Sequence, residues 1–382
     1  MIKAVGILSV KAGLHLKIAT YVWVATISII SILVFLAPLK RTVTPVYHEA
    51  VERWMAGQSL YVDTAHAYFY FPQFVFVFLP FHLLPVPIGD IFWRIVSTAL
   101  LSWGIWRIVS LAHTPQNTLL FLYASLIALT PSFGAMRNGQ ANVLFAALTV
   151  HAAANLAQSH WWFAILCMVG ALTVKPIGLV MILLAAVIYR SIIGRLTVGI
   201  SIFLILPFFF AESSYVFSQY RQAVEHLFSF SVVTEDRFAD LNGLFRTLGI
   251  GLVGSTSQII RIGAGVLTLM IWWIGAKRLR EPQRAWLLLG LTTTYLMLFN
   301  PMTESNSYVI VAPILSLYAV RFLIIEGHSK LGWGLVFMGF SIGILPEIFR
   351  SVDRNFGLWW KPLMMLIFSG ILTYISISRR EV

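Results

Sequence analysis

The sequence predicts an all-α polytopic membrane protein, on three observations. Of the 382 residues, 59% are hydrophobic and only 11% are charged, against about 25% charged in soluble domains. Apolar runs near spanning length recur from Ile18 to Ile377, and a helix needs about 20 such residues to cross hydrocarbon. Cations gather between the runs: Lys277, Arg278, Arg280 and Arg284 share one short loop, of the kind that stays cytoplasmic. Residues 1–382 read as one membrane domain, with no soluble domain, low-complexity tract or clear internal repeat.

The totals also exclude. Net charge is +12, from 27 Lys+Arg against 15 Asp+Glu. Since many cations flank apolar runs, topology and anionic lipid account for the excess better than nucleic acid does. Cys167 is the single cysteine, so no intrachain disulfide or thiolate metal site can form. The nine histidines are scattered without an HExxH, and there is neither a Walker loop nor a GxGxxG, so no metal, nucleotide or other cofactor is expected. Lys3, Lys11 and Lys17 precede the first run with no small-residue cleavage site after it, which predicts an uncleaved first helix with a cytoplasmic N-terminus.

Ile18 to Pro38 spans outward. Thr44-Pro45 opens a short helix, with Thr44 as cap and proline at the first position, and Gly57 ends it. Val46, Tyr47, Ala50, Val51, Trp54 and Met55 form one face, and His48, Glu49, Glu52 and Arg53 the other, the pattern of an interfacial helix. A polar-aromatic loop follows from Gln58 to Tyr70, with Asp63 and His66. The run from Phe71 to Pro87 is too short to cross and is broken by Pro80. It is expected to be a re-entrant half-helix buried against protein.

With that segment not crossing, the later runs alternate. Ile88–Leu111 goes in, Thr118–Ala135 out, Val143–Ala157 in, Trp161–Val174 out, Ile177–Tyr189 in and Leu196–Phe210 out. A long outer loop covers 211–254. Ile259–Ile274 then goes in, Trp286–Phe299 out, Val309–Phe322 in, Gly332–Leu345 out and Leu363–Ile377 in, ending at Arg379-Arg380. The count is about twelve spans with both termini cytoplasmic. It places the basic 277–284 loop inside and collects most other polar groups at the outer, periplasmic or equivalent, face of the cell membrane.

The stretch Arg137-Asn138-Gly139-Gln140-Ala141-Asn142 lies between two spans on that face, and Lys175-Pro176 interrupts another apolar block. A charge within hydrocarbon costs roughly 2.5–3.5 kcal/mol on insertion scales and usually faces a cavity or partner. Arg137 and Lys175 with Gln140 and Asn142 between them suit a phosphate-bearing ligand. The plainer reading is a loop arginine and a snorkelling lysine. Glu304 sits in a Pro-flanked polar break beside Asn306. Partial desolvation there would raise its pKa and suit it as a general base, whereas an N-terminal anion capping the next span is the alternative. Glu49 and Glu52 can simply solubilise their helix, Glu49 pairing with Arg53 four residues on. Asn242 and Arg246, one turn apart, can grip a phosphate or sugar hydroxyls, while an Arg237–Asp240 salt bridge is the duller option.

These motifs in this order resemble glycosyltransferase family 87, the polyprenyl-phosphate-mannose-dependent mannosyltransferase-like proteins with the GT-C membrane fold. The resemblance covers most of the chain. It rests on Tyr47 to Tyr61 with its Gly57-Gln58-Ser59-Leu60-Tyr61 ending, Phe71-Pro72-Gln73, Gly139-Gln140-Ala141-Asn142, Lys175-Pro176, Asn242-Gly243-Leu244-Phe245-Arg246 and Asn300-Pro301 to Tyr308. It implies a polyprenyl-phosphate-linked sugar donor, with mannose as the sugar, transferred with inversion to a glycolipid or envelope glycan acceptor. Arg137, Lys175 and Arg246 would take the phosphate, and Gln140, Asn142, Asn242 and Asn306 the sugar or phosphate. The family's aspartate near Val43 or Thr44 has no counterpart, and Ser305-Asn306-Ser307 stands in the region of its late histidine. The base therefore falls to Glu304 first and Glu49 second. A transporter or flippase of a lipid-linked precursor, or a catalytically silent scaffold, is the alternative.

Overall fold

The computed structural model describes residues 2–62, 68–229, 238–252 and 254–378, with side chains from residue 12 onward. The described residues are helical and contain no strand. In chain order the α-helices are α1 (Ile2–Leu36), α2 (Thr44–Met55), α3 (Phe74–His82), α4 (Val86–Ser110), α5 (Asn117–Asn138), α6 (Asn142–Ala157), α7 (Trp161–Val174) and α8 (Leu179–Ile188). They continue as α9 (Ile193–Ile205), α10 (Ser213–Ser229), α11 (Leu241–Thr247), α12 (Gly254–Arg278), α13 (Gln283–Phe299), α14 (Ala312–Val320), α15 (Ser329–Phe349) and α16 (Phe356–Ser378). Every apolar run expected to span carries one of these helices. Six segments are long and apolar enough to cross a membrane: Ala12–Leu36, Asn117–Asn138, Arg190–Phe209, Gly254–Arg278, Ser329–Phe349 and Phe356–Ser378. The chain is a membrane protein.

The centre of the bundle is α6, buried almost continuously from Asn142 to Leu156. Its face is rich in small residues, with Ala146, Ala147, Ala152, Ala153 and Ala154 all fully covered, which lets α4 and α7 pack closely on either side. Helix α5 packs against α1, α14 and α15 around this centre. The tightest approach there is at Gly343, where a Cβ would stand 2.4 Å from the carbonyl carbon of Thr130.

Helix α3 is only nine residues long, about 14 Å at 1.5 Å per residue, too short to cross a bilayer. It buries Phe74, Val75, Phe78 and Phe81 against α2 and α4. Helix α2 departs from expectation in two ways. Its N-cap is Val43, without a side-chain cap, because the Thr44 hydroxyl donates instead to Asp90 Oδ2 at 2.6 Å. His48, expected on the polar face, is buried, because Asp90 offers its imidazole an acceptor inside. The segment 211–254, read as one loop, contains α10, whose Val216, Gln219, Ala223 and His226 face inward. Asp63, His66, Arg237, Arg379 and Arg380 lie outside the described residues.

Candidate active site

The site is built on the turn between α5 and α6. Helix α5 runs through Arg137 and Asn138 and ends at Gly139, whose φ of +65° is left-handed and suits glycine as a C-cap. The Gly139 N–H donates to Met136 O and the Gln140 N–H to Ala135 O, closing the helix end. Three residues later α6 has begun. Arg137 to Asn142 is thus a helix end and a tight turn, not the open loop the sequence implied. That turn fixes two amides in a buried position: Gln140 and Asn142 are 7% and 2% exposed.

The amides meet the segment from Asn300 to Tyr308. Gln140 Nε2 donates to Glu304 Oε2 at 2.9 Å. Asn142 Nδ2 donates to Gln140 Oε1 at 3.0 Å and to Ser307 Oγ at 3.3 Å. Asn142 Oδ1 is buried and accepts no hydrogen bond in this structure. Such an atom carries a desolvation penalty of about 1–3 kcal/mol unless something donates to it. Glu304 is exposed, so the expected desolvation is missing, and its carboxylate caps no helix either. What distinguishes it is its company.

Lys175 is part of that company. The residue before a proline avoids the helical region, and Lys175 is extended, with φ −151° and ψ 137°, between α7 and the short turn Pro176–Gly178 that leads into α8. The break leaves its half-buried ammonium in the field of the Glu304 carboxylate. The same carboxylate acts on Tyr47 and Tyr70. The Tyr47 hydroxyl accepts the Ala141 N–H at 3.1 Å and shares a 3.0 Å hydrogen bond with the Tyr70 hydroxyl. Burial pushes Tyr47 up to about 12, so it stays a neutral phenol at physiological pH. The Arg137 side chain is half-buried at this turn and forms no hydrogen bond or ion pair with any described residue.

The other expected residues are placed differently. Glu49 is held by Arg53, at 2.9 Å from Nε and 2.7 Å from Nη2, and lies with Val46, Leu60 and Tyr68 around a separate small cavity. Asn306 turns toward α5, where a Cβ on Gly134 would stand 2.5 Å from its Oδ1. Asn242 and Arg246 do share α11, as expected. Asn242 Nδ2 donates to Ser257 Oγ at 3.3 Å, beside Asp240, whose carboxylate accepts the Gly243 N–H at 2.7 Å as the α11 cap. Burial raises Asp240 to about 6 against the pull of Arg246 and Arg261. The chain just before α11 meets the Glu304 segment: the Ala239 N–H donates to Thr303 O and the Tyr308 hydroxyl donates to Ala239 O.

Two features escaped the sequence reading. Lys361, at the start of α16, is buried, donates to Ser305 O at 2.9 Å and to Ser305 Oγ at 2.6 Å, and lies 5.3 Å from the centre of the Tyr308 ring. It clamps the segment that carries Glu304. Behind the turn, Asp90 and Arg94 of α4 are both buried, with His48 Nε2 at 3.1 Å from Asp90 Oδ1 and His82 Nδ1 at 2.9 Å from His48 Nδ1. An acid and a base four residues apart inside an apolar run was a signal available in the sequence.

Chemically, the cluster offers a carboxylate that can accept a proton, amides that can hold hydroxyls or a phosphate oxygen, and cations to balance an anion. A helical membrane protein with such a cluster at one end of its bundle is the class that fold and site define. The family model for glycosyltransferase family 87 matches residues 68–301, more than half of the chain, and the chain belongs to that family. It is a membrane glycosyltransferase. Among curated proteins nothing matches it. Among solved structures it is similar to ArnT from Cupriavidus metallidurans in the apo state, at 13% identity over 94% of this chain and 78% of that one, with a TM-score of 0.45.

Proposed function

We propose that the protein transfers a sugar, mannose by the family resemblance, from a polyprenyl-phosphate carrier to a glycolipid or envelope glycan acceptor. The observation that carries this reading is the hydrogen-bonded meeting of Gln140 and Asn142 with Glu304 and Ser307, segments far apart in the sequence, with Lys175 within reach of the Glu304 charge. The proposal includes a GT-C-like bundle of about twelve crossings in the cell membrane, both termini cytoplasmic, α3 re-entrant, and the cluster facing outward.

In the proposed reaction Glu304 takes the proton of the acceptor hydroxyl. The acceptor oxygen bonds to the anomeric carbon as the bond from that carbon to the phosphate oxygen breaks, with inversion. The electron pair leaves with polyprenyl phosphate. Lys175 and Arg137 supply the positive charge that the departing phosphate needs. Gln140 holds Glu304 and, with Asn142, offers polar atoms to the donor head. Arg246, Asn242 and Asn306 are proposed to bind more distant parts of the same donor.

Lys175→Ala tests the reading. In membranes supplied with a polyprenyl-phosphate sugar the variant is expected to lose transfer while its expression holds. Full activity would remove the phosphate assignment.

A further inference from the structure

Three consecutive carbonyls close helix α5, and each is captured by a donor from outside it. Arg94 Nε donates to Arg137 O at 3.1 Å, the Val43 N–H to Asn138 O at 3.0 Å, and Trp93 Nε1 to Gly139 O at 2.8 Å. The last carbonyls of a helix have no partner within it, and water, a tighter last turn or a side chain serves. Here two adjacent side chains of α4, both 1% exposed, serve.

Arg94 is itself held. Its Nη1 donates to Asp90 O at 2.8 Å and lies 3.9 Å from Asp90 Oδ2, while its Nη2 donates to Thr42 Oγ1 at 2.9 Å. Asp90 in turn is fixed by the Thr44 hydroxyl and His48. Gly139 lies flat on this arginine: a Cβ would stand 2.8 Å from Arg94 Cζ. The next residue but one is pinned too, since the Ala141 N–H donates to Tyr47 Oη. Every captured group belongs to the four residues that precede or flank Gln140. A buried ion pair is weak evidence for stability, because desolvation offsets the attraction. The arrangement of its donors around one turn is a stronger clue to its role.

We propose that Arg94, seated on Asp90, and Trp93 beside it are positioning residues that set where Gln140 and Asn142 point. The functional half of this inference rests on the reading of those two amides as donor-binding. The structural half does not. Neither residue touches the donor. They act through the backbone of the turn.

The test uses full-length protein in detergent and two variants. Trp93→Phe keeps an aromatic ring among Phe74, Phe78 and Phe81 but removes the indole N–H that donates to Gly139 O, leaving a small gap where the five-membered ring stood. Arg94→Lys keeps the charge and removes the planar fork, which an ammonium cannot replace. Hydrogen exchange of the Gly139, Gln140 and Ala141 amides is expected to quicken about tenfold or more in each, with the interior of α6 unchanged. The KM for the polyprenyl-phosphate sugar is expected to rise about tenfold, with a smaller change in kcat, whereas a loss of folded protein would lower only the apparent kcat. Unchanged exchange at the turn in Trp93→Phe, or quickened exchange throughout the chain, overturns the inference. Local quickening with KM unchanged overturns its functional half. If the wild-type protein transfers no sugar, the proposed function fails, and the exchange pattern alone decides whether the turn is positioned this way.

Discussion

Gln140 Nε2 donates to Glu304 Oε2 across 2.9 Å, joining side chains 164 positions apart. The bond ties the α5–α6 turn to the segment before α14. A variant that keeps the size but loses the donor, Gln140→Leu, leaves the carboxylate unheld. Transfer is expected to fall about tenfold or more, in line with the typical worth of a hydrogen bond to a charged group, about 1.5–3 kcal/mol. Steady-state rates with purified protein check it.

Gly139 has both a left-handed φ of +65° and no room for a side chain above Arg94. Gly139→Ala is expected to lower stability by at least about 1–2 kcal/mol from backbone strain alone. Thermal unfolding in detergent measures it. Gly57, which shares the same φ but has open space where a Cβ would stand, is the control and should show the strain without the clash.

Most of the fold was legible because hydrocarbon imposes length and polarity on the chain. Each expected span carries a helix; α3 is short as expected, but Pro80, expected to break the run, lies inside the helix, which continues to His82. The pairing of Gln140 with Glu304 is only half legible in the sequence: residue types mark the motifs, but which motifs meet depends on packing. In the sequence, Asp90 and Arg94 look like part of an ordinary span, since the run from Ile88 to Leu111 has spanning length and an i, i+4 ion pair inside it acquires meaning only from its neighbours. Helical spacing alone puts His48 on the polar face of α2, and only the position of α4, which brings Asp90 to its ring, shows why it turns inward. Lys361 sits between two tryptophans and a proline, where a basic residue reads as a membrane-edge anchor.

Lys361 gives the next prediction. Lys361→Met removes both hydrogen bonds to Ser305 and lets the Glu304 segment drift. Since small displacements of reacting groups are costly, kcat is expected to fall roughly tenfold with little change in donor KM. Arginine at this position should not restore it, because the buried space around Tyr308 suits a single ammonium. Kinetics of the two variants side by side check this.

Asp240 predicts a pH dependence of stability. Burial lifts its folded pKa from 3.8 to about 6, so the folded state holds the proton more tightly than the unfolded chain. Its contribution is fully present below about pH 4 and is lost as pH rises through about 6, by an amount of order 3 kcal/mol. Asp240→Asn keeps a good helix cap and should flatten that part of the profile. Apparent melting temperature between pH 4 and 7, wild type against variant, reads the difference.

The central claim is that Glu304 accepts the proton of the acceptor hydroxyl, and replacing each candidate carboxylate in turn tests it most directly. With purified protein, a polyprenyl-phosphate sugar and a glycolipid acceptor, Glu304→Gln is expected to cut kcat by about 10²–10⁴, the usual share of a general base. Glu49→Gln, which disturbs only the pair with Arg53, should stay within about threefold of wild type. Retained transfer in Glu304→Gln together with its loss in Glu49→Gln would contradict the account.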